Sequence, residues 1–162
     1  VKEKILLDHE RLAARIRFHR EAGRRVVFTN GCFDLIHVGH VRLLQGAREA
    51  GDVLVVGVND DEAVRKLKGP GRPFQPEAER AEIVASFRWV DLVTIFSGET
   101  ADGILRKLRP DMHAKGTDYT PEQIPEADTD AAIGVRIAIV GDPKEHGTRD
   151  LIRRIRARGE EA

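Results

Sequence analysis

Apolar runs rich in β-branched residues recur along the chain at Arg25 to Thr29, Val53 to Val58, Asp91 to Ile95 and Val135 to Val140, with a weaker one at Met112 to Lys115. Such near-continuous runs predict strands buried on both faces rather than strands with one wet side. The stretches between them carry helical spacing, and helices are expected over 8–22, 39–50, 60–67, 76–88, 99–108 and 148–158. Gly23 and Gly51 serve as stop signals for the first two helices, and Pro76 suits the first turn of another. Strands alternating with helices define an α/β class: a single doubly wound Rossmann-like domain with a mostly parallel five-stranded sheet. That domain is expected to span 1–162, with an N-terminal helix in 1–23 and a C-terminal helix and frayed tail in 147–162. The one long irregular stretch, Lys68-Gly-Pro-Gly-Arg-Pro-Phe-Gln-Pro76, holds three prolines and two glycines and reads as a loop within one fold.

Composition narrows the partners. A chain of 162 residues, 41% apolar and 33% charged, suffices for one core. Its 27 basic and 27 acidic residues cancel, so no global field draws nucleic acid or an anionic membrane, and anion binding must be local. The basic stretches Arg11 to Arg25 and Arg149 to Arg158 read as solvated helix faces, since no aromatic stacking pattern accompanies them. The lone Cys32 excludes an intrachain disulfide, no apolar run approaches the ~18 residues that span a bilayer, and the first residues lack a signal core, so a cytoplasmic location is expected. The chain opens on Val1 rather than Met, which leaves open whether it is trimmed or one domain of a longer polypeptide.

In open α/β sheets ligands sit at the carboxyl ends of strands where the strand order reverses, which directs attention to the end of the first strand. There the chain reads Thr29-Asn-Gly-Cys-Phe-Asp-Leu-Ile-His-Val-Gly-His40 and enters a helix. Gly31 and Gly39 let backbone approach a ligand, and the helix start offers free N–H groups to phosphate. His37 and His40, three apart, share one face of the first turn. Attack on an α-phosphate builds negative charge on its oxygens and on departing pyrophosphate, and two imidazole N–H donors lower that barrier. Zinc is a poorer reading of the pair, because a structural site wants more Cys and His partners than this chain supplies. Cys32 lacks the third member and oxyanion donors of a thiol nucleophile and reads as a packing residue. Asn59-Asp60-Asp61 reads as a helix cap rather than a metal site.

The stretch from Thr29 to His40 resembles the T-x-G-x-F-D-x-x-H-x-G-H signature of the HxGH nucleotidyltransferases, in particular the cytidylyltransferase-like family. Lys68 to Pro73 with the later Glu79-Arg80 is similar to the K-G-P-x-R-P loop and acidic-Arg pair of heptose-1-phosphate adenylyltransferases, and Lys115-Gly-Thr-Asp-Tyr119 is similar to their K-G-x-D-Y. The resemblance covers nearly the whole chain and departs at the last helix, where relatives carry S-T-T or S-S-T and this chain has Gly147-Thr-Arg-Asp150.

The resemblance implies catalytic roles for His37, His40 and Lys115. It implies nucleotide contacts at Thr29, Asn30, Gly31, Cys32, Phe33, Gly39, Asp118, Gly147, Thr148 and Arg149, and substrate contacts at Asp34, Lys68, Arg72 and Arg80. Asp34 has two further roles open to it, orienting the loop or meeting magnesium through water. The implied activity transfers AMP from ATP, with Mg2+, to D-glycero-β-D-manno-heptose 1-phosphate. The alternatives are a CTP-dependent enzyme acting on glycerol 3-phosphate and a non-catalytic nucleotide-binding module. A homodimer is expected, and no protein-held metal, nucleic acid or membrane.

Overall fold

The structure, a computed structural model, describes residues 1–142 and 147–159. Five strands, β1 (Val26–Gly31), β2 (Val53–Asn59), β3 (Leu92–Phe96), β4 (Met112–Gly116) and β5 (Arg136–Val140), form one all-parallel sheet in the order β3-β2-β1-β4-β5. The chain steps outward from β1 to β3, then returns to lay β4 on the other side of β1. The crevice between the carboxyl ends of β1 and β4 is therefore the topological switch point.

Period-two alternation in strands buried on both sides explains the layers. Val26, Phe28, Val53 and Val55 face one core with Leu12 and Ile16 of helix α1 (His9–Glu21) and Leu105 of α5 (Asp102–Leu108). Val27, Leu54, Val56 and Val58 face the other, with Leu44 and Ala47 of α2 (Val38–Glu49) and Ala81 and Val84 of α4 (Glu77–Ser86). Helices α3 (Asp61–Lys68), α6 (Ala127–Ile133) and α7 (Thr148–Gly159) complete the set of helices among the described residues.

The expected strands and helices are present with shifted ends, and α6 is an addition that the sequence reading lacked. So are two short 3-10 turns, Lys2–Lys4 and Pro121–Gln123. Helix α6 escapes a hydrophobic reading because two of its buried residues, Thr129 and Asp130, are polar. Gly23 takes φ 74° beyond α1, as a helix stop does. Gly51 serves packing instead: a Cβ there would lie 2.6 Å from Val27 and 2.9 Å from the Arg25 carbonyl oxygen. Pro76 caps α4 from just outside its first turn. The Arg158-Gly-Glu-Glu-Ala162 tail falls largely outside the described residues.

Gly57 in the middle of β2 has the same logic, since an added Cβ would lie 2.7 Å from the Phe28 ring and 3.1 Å from that of Phe96. Gly57→Ala is expected to cost about 1–3 kcal/mol through overpacking, read as a lower urea midpoint with an unchanged slope.

Candidate active site

The signature residues gather where β1 hands over to α2. Phe33 adopts φ 48°, the left-handed region that a bulky residue rarely enters, and is 2% exposed. This turn sets its ring 5.2 Å from that of His40 and against Gly31, where a Cβ would lie 3.2 Å from the ring. His37 is the N-cap of α2, and its backbone N–H donates to Nδ1 of His40 at 3.3 Å. The two imidazoles stack with centroids 3.8 Å apart.

That geometry fixes the chemistry of His40. Burial first, then the neighbouring His37 and Lys68, push its pKa from 6.5 down to about 3, so it is neutral near pH 7. With Nδ1 accepting a backbone N–H, Nε2 is left to carry the ring proton. His40 is thus a neutral hydrogen-bond donor rather than a cation or a base.

Asp34, 2% exposed, does the loop-orienting work. One oxygen accepts from the Phe74 and Gln75 backbone N–H groups at 2.7 and 3.1 Å, and the other pairs with the Arg72 guanidinium. Arg72 also stacks on Phe74 at 4.6 Å. Both Asp34 oxygens are thus engaged by the loop.

Two residues expected to contact ligand are engaged by protein atoms. Arg80 is fully buried and holds protein atoms only: the carbonyl oxygens of Gln75, Cys32 and Asn59 at 2.9, 2.6 and 2.8 Å, and the Asp61 carboxylate at 2.7 Å. It is a clamp between β1, β2 and the loop, with no surface left for substrate. Thr29 is fully buried, pairs with both neighbouring strands, and donates its hydroxyl to the Ala114 carbonyl at 2.9 Å, so it belongs to the sheet. Asp60 caps α3 by accepting from Ala63 N–H at 2.7 Å, as its sequence context indicates. Burial raises the Cys32 thiol pKa against the pull of Lys68 and Arg80, the reverse of an activated nucleophile.

Beside Asn30 lies a polar group of which sequence reasoning named Lys115 and missed His113, Glu126 and Asp130. Lys115, 6% exposed, donates to Asn30 Oδ1 at 3.0 Å and pairs with Glu126, 2% exposed, at 3.0 Å. His113, fully buried, meets the same Asn30 oxygen through Nε2 at 2.9 Å and Asp130 through Nδ1 at 2.7 Å. Burial raises the Glu126 pKa, but Lys115, the Ala101 N–H and His113 together bring it below its ordinary value. The signal was available: alternation in Met112-His-Ala-Lys115 turns His113 and Lys115 to one face, and Glu126 and Asp130 are four apart at a helix start.

Lys68 and Arg72 line a cleft of about 730 Å³ with Leu67, Phe74, Thr148, Ile152, Arg153 and Arg156, so the loop and α7 form its two walls. Gly147 precedes α7, and its carbonyl accepts from Asp150 and Leu151 N–H. Arg149 lies in the first turn of α7; its side chain and His146 lie outside the described residues. Gly39 sits in the first turn of α2, and Asp118 on the exposed turn after β4. Among the described residues no three His, Cys, Asp or Glu side chains cluster to hold a metal.

A stacked histidine pair thus stands at a helix N-terminus on the switch point of a doubly wound sheet. The chain belongs to the cytidylyltransferase-like family, whose model matches residues 28–154. It is 44% identical over 146 residues to the bifunctional protein HldE of Syntrophotalea carbinolica, covering 90% of this chain and 30% of that protein. It is 46% identical over 154 residues to the HldE of Halorhodospira halophila, covering 95% of this chain and 32% of the relative. The chain thus spans about a third of the length of these relatives. The lipopolysaccharide core biosynthesis protein from Thermoplasma volcanium superposes with a TM-score of 0.64 at 25% identity, over 75% of this chain and 100% of that one. No helix among the described residues is long and apolar enough to cross a membrane.

Two tests follow from this geometry. Arg80→Met, which strands three carbonyls and the Asp61 carboxylate, is expected to lose about 3–5 kcal/mol in denaturant melts, far beyond a surface contact. The second concerns His40, whose folded pKa lies below its unfolded value, so the unfolded chain binds more protons between pH 6.5 and about 3. Stability is therefore present above pH 6.5 and falls on acidification, by up to about 1.4 kcal/mol per pH unit from this group. His40→Asn lacks that component, so the gap between the two stability curves should narrow as pH falls.

Proposed function

We propose that the chain transfers AMP from ATP to D-glycero-β-D-manno-heptose 1-phosphate, giving ADP-heptose and pyrophosphate. The observation that carries the reading is the neutral, Nε2-protonated His40 stacked on His37 at the start of α2. The similarity of the loop from Lys68 to Pro73 and of Lys115 to Tyr119 to heptose-1-phosphate adenylyltransferases supports the acceptor, as do the HldE relatives. The basic cleft beside the loop, with Lys68, Arg72 and Arg153 around apolar Leu67 and Ile152, suits a phosphorylated sugar.

In the proposed reaction an acceptor phosphate oxygen attacks the α-phosphorus of ATP in line. A new P–O bond forms as the bond to the bridging oxygen breaks, and pyrophosphate departs with the electron pair. The acceptor is already an anion at neutral pH, so no general base is required, consistent with a His40 that cannot readily take a proton. His40 and His37 donate hydrogen bonds to the growing negative charge, and Lys115 adds a cation at the end of β4. Magnesium, bound to the triphosphate, supplies further charge neutralisation. The nucleotide lies along Asn30 to Phe33 and Gly39, with Asp118 towards the ribose and Gly147, Thr148 and Arg149 towards the phosphates. A cytoplasmic homodimer fits the lone cysteine and the resemblance.

The test is pyrophosphate release with magnesium, offering ATP or CTP with heptose 1-phosphate or glycerol 3-phosphate. Release with ATP and the heptose phosphate alone is the expected outcome. Release with CTP and glycerol 3-phosphate moves the chain to a cytidylyltransferase, and silence with nucleotide bound makes it a non-catalytic binder. His40→Asn, whose amide oxygen can still cap the His37 N–H, is expected to lower kcat about 10²–10³-fold, as loss of one transition-state donor does.

A further inference from the structure

The polar group behind Asn30 contains more proton information than a salt bridge alone. Asn30 Oδ1 lies 3.0 Å from Lys115 Nζ and 2.9 Å from His113 Nε2. An ammonium only donates, so the atom of Asn30 facing Lys115 must be the oxygen rather than the amide nitrogen. The same oxygen faces His113 Nε2, which must then be a donor. Nδ1 of that ring is 2.7 Å from the Asp130 carboxylate, an acceptor. Both ring nitrogens therefore need a proton. The arrangement balances, with His113 and Lys115 as two cations against Asp130 and Glu126 as two anions, all four at least nine-tenths buried.

We propose that a doubly protonated His113, held by Asp130, fixes the amide of Asn30 and through it Lys115, making His113 and Asp130 positioning residues for transfer. The proposal rests on the transferase reading of Lys115. Loss of the Nε2 proton would put a lone pair against the Asn30 oxygen. Turning the amide to relieve that contact would aim its NH2 at the Lys115 ammonium. The charged groups around His113 are Asp130 and Glu126 from α6 and its N-cap, and Lys115 on its own strand. β1 supplies Phe28, with ring centroids 5.8 Å apart, and β5 supplies Ile137 as register partner. Asp130 Oδ1 has no hydrogen-bond partner of its own, which leaves His113 as the group that answers its charge.

His113→Leu and His113→Gln test the idea together. The leucine removes the donor to Asn30, so kcat should fall about tenfold with KM for ATP almost unchanged, whereas the glutamine, whose amide NH2 takes the place of Nε2–H, should recover most of it. A leucine variant with the kcat of the wild type, or an equal loss of kcat in both variants, would overturn the proposal and leave a structural network only. A readout independent of activity uses the wild-type chain with 15N-labelled histidine. Two protonated ring nitrogens for His113 near pH 7.5, assigned by their shift in Asp130→Asn, are expected, and one unprotonated nitrogen sinks the relay. Absence of transfer by the wild type overturns the transferase reading instead, and the ring spectrum still decides the proton count.

Discussion

The guanidinium of Arg80 lies in the middle of the molecule with every contact made to protein. Burying a cation is tolerable only when its donors are met, and here they meet the carbonyl ends of β1 and β2, the base of the loop and the Asp61 carboxylate. Two of those carbonyls, of Cys32 and Gln75, belong to chain outside the sheet ladder, and the third, of Asn59, is at the very end of β2. One side chain therefore replaces the missing ladder at the point where the sheet opens. The left-handed turn at Phe33 and the start of α2 build on that support, and the histidine pair follows from them.

The electrostatics of the site divide into two styles. On the α2 side the donors are neutral: His40 is kept uncharged by burial beside a second imidazole and Lys68. On the α6 side Lys115 and His113 are each matched by a buried carboxylate, Glu126 and Asp130. Neither style places an unshielded positive charge in the empty crevice. An anion entering it meets oriented donors, whose alignment was established during folding, rather than a patch that would attract any polyanion.

Much of this was legible in the sequence, and the misses share one cause. Strands β1, β2 and β3, largely buried, announce themselves as apolar runs; β4 gave a weaker run, and the half-exposed edge strand β5 was read from its β-branched residues. The signature from Thr29 to His40 disclosed the site because its glycines, histidines and helix start make sense only together. Burial of polar side chains left no such trace. The resemblance implied ligand contacts at Arg80, through the acidic-Arg pair, and at Thr29, the first residue of the signature, whereas both are buried against protein atoms. Helix α6 went unread for the same reason: its Asp130, with Glu126 just before it, is part of a core. Partners for such groups come from distant strands, and the pairing of His113 with Asn30 and Asp130 exists only once β1, β4 and α6 are assembled.

Asp34 belongs to the signature, yet both its oxygens are committed to the loop around Arg72, Phe74 and Gln75. The segment that walls the basic cleft and the segment that presents the histidines are consequently one mechanical piece. A loop transplanted from a relative would bring its own side chains but would still hang from this carboxylate. Reshaping the cleft in this scaffold is therefore a matter of redesigning around a fixed hinge pin, with changes confined to residues such as Lys68 that carry no part of its load.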